Sequence, residues 1–115
     1  YTKDSEIVDD LDLIYDAQDI VNGIIKRKCS GDHRFDTLDN ASNIIKLMDS
    51  PYIGQTFEFI IVNIRMGNFD INIKTDNSIK KFGYLNIKQN EARKYLLRII
   101  NLNKDEEQME LYGLS

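Results

Sequence analysis

Phe57-Glu-Phe-Ile-Ile-Val-Asn-Ile-Arg-Met66, then Gly67-Asn68, then Phe69-Asp-Ile-Asn-Ile-Lys-Thr75 is the stretch whose reading decides the fold. Two runs rich in β-branched and aromatic residues flank a Gly-Asn pair. Glycine enters positive φ without steric cost, so the pair suits a two-residue type II′ hairpin turn. That turn would set Met66 against Phe69, Ile64 against Ile71, Val62 against Ile73 and Ile60 against Thr75 on an apolar face. Arg65 would meet Asp70, Asn63 would meet Asn72 and Ile61 would meet Lys74 on the other face. At its far end this second face carries Phe57 and Phe59, aromatics that either lie under a neighbouring element or form an exposed contact patch.

Upstream, the spacing predicts a first helix over Ser5 to Lys28. Ile7, Leu11, Ile14, Gln18, Val21 and Ile25 fall one per turn, and Lys26-Arg27-Lys28 suits the C-terminal end of the dipole. Asp9, Asp12, Asp16 and Asp19 recur every three or four residues and would share one acidic face. A shorter helix is expected from Thr37 to Met48, capped by Asp36 and ended by Pro51.

Downstream, Ile79 to Leu85 reads as a third strand. Asn86 then caps an expected helix from Ile87 to Leu102, with Gln89 in a capping-box relation. The tail from Lys104 alternates in a way that allows one more short strand. The order helix, helix, hairpin, strand, helix makes the expected fold α+β: a small, mainly antiparallel sheet with helices packed on it. At 115 residues the chain suits a single domain. No internal repeat, glycine-rich phosphate loop or low-complexity tract stands out.

Composition bounds the function loosely. Net charge is −4, but it is unevenly spread. Tyr1 to Phe57 hold eleven acidic and six basic residues, and the remainder eight and nine. A single cysteine excludes an internal disulfide, and with no bilayer-length apolar run or signal-peptide pattern the expected location is the cytoplasm. Cys29 and the only histidine, His33, share one loop, but two such ligands fall short of a zinc site and nothing forces them together for nucleophilic catalysis. No metal, cofactor or catalytic residue is therefore expected.

Two functions suit these features. The first is a small non-enzymatic inhibitor of the immunity-protein or phage-inhibitor kind. Its face of Asp9, Asp12, Asp16 and Asp19, with Phe57 and Phe59, would dock on a basic partner such as a toxin or nuclease, with long-range attraction speeding association. The second is a nucleic-acid-binding regulator using Lys80, Lys81, Tyr84, Arg93, Lys94 and Arg98, which interleave cations with an aromatic ring.

Overall fold

The computed structural model describes residues 3–8, 12–29, 34–65 and 70–114, and through them the chain passes back and forth between two sheets. Strand β1 (Lys3–Val8) lies in the larger sheet, β2 (Ile14–Tyr15) in the smaller, and helix α1 (Ala17–Asn22) leads back. Strands β3 (Gly23–Cys29) and β4 (Arg34–Leu38) with helix α2 (Ala41–Lys46) repeat that path, and β5 (Thr56–Arg65) with β6 (Ile71–Lys74) begin it a third time. Successive turns stack in parallel, β1 on β3 on β5 in one sheet and β2 on β4 on β6 in the other. Four further strands complete the sheets: β7 (Ile79–Gly83), β8 (Asn86–Ile87), β9 (Ala92–Asn101) and β10 (Gln108–Gly113). The orders are β1-β3-β5-β9-β10-β7 and β2-β4-β6-β8.

The sequence forms each short helix in the same way. Asp16 Oδ1 accepts from the Asp19 amide at 3.1 Å and Asn40 Oδ1 from the Asn43 amide at 2.8 Å, and both caps sit at φ −73°, ψ 162°. A short acceptor side chain there satisfies one of the amides a helix start leaves unpaired. Gly23, at φ 106°, ends α1 in the left-handed conformation that side chains oppose, and the chain turns directly into β3.

The inner faces of both sheets share one apolar cluster with the helices, including Ile20, Ile25, Leu38, Ile44, Ile61, Ile71, Leu97 and Leu111. Polar side chains also cross it. Arg27 of β3 meets Asp36 of β4, both fully buried, and Asn63 of β5 donates to the Ile87 carbonyl of β8 at 2.9 Å. Each link ties one sheet to the other.

The expected α+β arrangement is overturned: strand makes up 56% of the described residues and helix 12%. The helix predicted over Ser5 to Lys28 is replaced by β1, β2, α1 and β3. Aspartate is a poor interior helix former; here Asp16 caps a helix instead, and Gly23 stops that helix after Asn22. The predicted Thr37–Met48 helix shrinks to Ala41–Lys46, because Thr37 and Leu38 belong to β4 and Asn40, not Asp36, is the cap.

The predicted hairpin is also absent as a pairing. Both of its strands exist, but in different sheets. Val62 lies beside Lys26 and Ala92, and Ile73 beside Asp36. Period-two alternation fixes which side chains face inward, not which strand lies alongside. The turn at Gly67-Asn68 lies outside the described residues.

The third strand is present as β7, but it pairs in parallel with β10 at the sheet edge. The expected C-terminal helix is β8 and β9. Arg93, Tyr95, Leu97 and Ile99 point inward while Lys94, Leu96, Arg98 and Ile100 point outward. The tail supplies β10, with Met109 and Leu111 in the core.

Candidate functional site

Of the four aspartates nominated for docking, the three described ones, Asp12, Asp16 and Asp19, do not share a helix face. Asp9 lies outside the described residues. Asp12 precedes β2 and accepts from the Phe35 amide at 3.0 Å, while Asp16 caps α1. Asp19 is half-buried in the first turn of α1, and its carboxyl is raised above the usual range by burial and by Asp16. Asp12 thus serves a contact to β4 and Asp16 a helix cap, and only Asp16 and Asp19 stand together, at the start of α1. Phe57 is half-buried against the core, and Phe59, 1% exposed, stacks on Tyr95 with ring centroids 5.4 Å apart. Tyr95 of the flanking strand β9 thus packs on Phe59, whereas Phe57 lines an open depression with Val21, Leu47 and Met48.

The residues nominated for nucleic acid divide between the two faces of the larger sheet. Lys80, Lys94 and Arg98 point outward, whereas Arg93 and Lys81 take the opposite register. Lys94 pairs with Glu58 at 3.4 Å, Arg98 with Glu110 at 3.8 Å and Arg93 with Glu91 at 2.5 Å. The Arg93 guanidinium also lies 5.1 Å from the centre of the exposed Tyr84 ring. Beside it is an open depression of about 440 Å³ lined by Gly83, Leu85, Asn86, Lys88 and Glu91.

The most strongly coupled polar group is internal. Asp36 Oδ2 accepts from Arg27 Nε at 2.8 Å and from the Tyr15 hydroxyl at 2.6 Å, while Oδ1 accepts from the Leu13 amide at 3.3 Å. Burial, then the carboxylate, pushes the Tyr15 hydroxyl well above its ordinary value. Arg27, Asp36 and Tyr15 are fully enclosed, and their cluster joins the two sheets.

Among the described residues no group of three or more His, Cys, Asp and Glu is arranged to hold a metal. Ser30 to His33 lie outside them. No described helix is long and apolar enough to cross a membrane.

What remains accessible and extended is the outward face of the six-stranded sheet. Register places Ile24 beside Ile60, Val62 beside Ala92, Leu96 beside Tyr112, and Tyr112 beside Phe82. Ile24, Ile60, Val62, Leu96 and Tyr112 are half-buried, and Val8 and Ile64 are exposed at one end. Phe82 stacks on Tyr112, centroids 5.3 Å apart. The Lys94–Glu58 pair divides this apolar surface in two. Next to it, Gly23, Ile24, Glu58, Phe59, Ile60 and Lys94 line an open depression of about 470 Å³.

Charges on this face alternate in sign from strand to strand. Asp4 and Glu6 stand on β1, Lys26 and Lys28 on β3, Glu58 on β5, Lys94 and Arg98 on β9, Glu110 on β10 and Lys80 on β7. Sequence reasoning missed this face because it assigned β3 and β9 to helices. One signal was present: Ile60-Ile61-Val62 is apolar without alternation, the pattern of a strand with apolar surroundings on both sides.

Comparison with family models, curated proteins and solved structures finds no match to this chain.

Proposed function

We propose that the chain is a non-enzymatic protein-binding module that docks through the outward face of its six-stranded sheet. The acidic-helix mode of docking falls with the helix; the proposed contact surface is the open sheet. The observation that supports it is the apolar character of that face where the strands run parallel. Parallel sheets occur almost only with both faces covered, yet Ile24, Ile60 and Val62 lie on the side away from the core. Apolar side chains interspersed with charge on an extended, accessible face suit a protein contact.

The test compares wild type with Ile60→Glu as immobilised bait in an extract of the cells that make the protein, after chemical cross-linking. The reading expects the variant to lose partners that wild type retains. Equal recovery of the same proteins by both baits would remove this face from consideration.

A nucleic-acid role is the second reading, favoured by the exposed Tyr84 ring under Arg93 with Lys88 nearby. Such a platform stacks bases, and its affinity falls with rising salt. Retention on single-stranded DNA or RNA at low salt that Tyr84→Ala abolishes would support it. No retention would dispose of it.

A further inference from the structure

We infer that the partner covering the outward sheet face is a second copy of this chain, packed sheet against sheet about a two-fold axis. This rests on the reading of that face as a protein contact and names its occupant.

Two observations point to self-association. The first is area. Strands lie about 4.8 Å apart with a rise of about 3.3 Å per residue, so six strands offer a face on the order of 600 Å². Doubled, that reaches the roughly 1,200 Å² at which stable interfaces begin. The strands of this sheet, five to ten residues long, suffice for that extent.

The second observation is charge balance. In a two-fold contact a patch meets itself, so any excess of one sign is set against the same excess. This face carries five bases and four acids. Three of the bases already have carboxylate neighbours: Lys26 with Asp4 at 2.8 Å, Lys94 with Glu58 and Arg98 with Glu110. A strongly acidic or basic partner would find no matching field here, whereas a copy of the same mixed surface sets an excess of only one charge against itself. The sheet edges are poorer contacts, since lysines on β7 and charged residues on β1 oppose strand addition.

Sedimentation of the full chain from about 1 to 100 µM tests this, with Ile60→Glu and Lys94→Glu as variants and circular dichroism to confirm that each folds. Wild type is expected to dimerise. Ile60→Glu should weaken the dimer about a thousandfold, because a central contact worth about 30-fold appears twice. Lys94→Glu replaces the partner of Glu58 with a second carboxylate near the centre of the face, and that local pair of like charges should weaken the dimer about tenfold. A monomeric wild type at the highest concentration, or a dimer that neither substitution weakens, overturns the inference. A monomeric wild type whose extract partners are still lost in Ile60→Glu overturns the dimer but leaves the binding face standing. Unchanged partners would overturn both.

Discussion

Arg27 and Asp36 meet across the interior, Nε to Oδ2 at 2.8 Å, each fully buried and each from a different sheet. The two residues lie at the ends of one passage from the larger sheet to the smaller, so their pairing fixes how one turn of the chain closes. The account predicts that Arg27→Met or Asp36→Leu alone costs about 3–5 kcal/mol, because the remaining charge loses its opposite charge while buried away from water. The double substitution should cost much less than the sum. Urea unfolding of the three variants measures this, and additive losses would show that the pair acts as two independent side chains.

The helix caps give a second prediction. Asp16→Ala and Asn40→Ala should each cost about 1 kcal/mol, since each leaves a first-turn amide without its side-chain acceptor. Similar losses in thermal melts are expected because the two caps share one geometry.

Alkaline pH provides a third. Burial raises the hydroxyl of Tyr95 above the ordinary tyrosine value, and that hydroxyl is buried with no hydrogen-bond partner among the described residues. A group with a raised folded-state pKa holds its proton in the folded form after the unfolded form has released it. Its contribution is fully present below about pH 10 and is lost as pH rises through that unfolded value toward the folded one. Tyr95→Phe should therefore leave stability at neutral pH unchanged or slightly higher. It should also flatten the decline above pH 10 relative to wild type in urea titrations. An equally steep decline would mean that other groups govern it.

A fourth concerns the β7 edge. A Cβ on Gly113 would collide with the Tyr84 backbone carbonyl, which belongs to the chain leaving β7. Backbone cannot swing aside as a side-chain tip can, so Gly113→Ala should destabilise by about 2 kcal/mol or more. Hydrogen exchange should show β7 amides opening first.

Much of this architecture was legible in part. Phe57 to Arg65 reads as a strand because its residues favour one, but its neighbours β3 and β9 are set by contacts distant in sequence. Ala92, Tyr95, Leu96, Ile99 and Ile100 satisfy a helical stripe as well as they satisfy two strand faces. Leu97, fully buried yet off that stripe, was the residue that distinguished them. The recurring turn also left a trace: Asp16-Ala17-Gln18-Asp19-Ile20 and Asn40-Ala41-Ser42-Asn43-Ile44 share a cap, alanine, cap-bonded amide and buried isoleucine at matching positions. Asp36, by contrast, looks like any helix cap in sequence, because its partners Arg27 and Tyr15 lie 9 and 21 residues away. The open face was invisible for the same reason: it exists only once β3, β5 and β9 lie side by side.

The central proposal is that copies of this chain bind one another through the outward face of the larger sheet. Methyl-detected NMR on an equal mixture of deuterated, methyl-labelled chain and unlabelled chain tests it most directly. The account predicts transfer between copies at the methyl groups of Ile24, Ile60, Val62 and Leu96, and none at Ile25, Ile61 and Leu97 on the inner face. Transfer confined to Ile53 or the helices, with the methyl groups of those four residues silent, would contradict it.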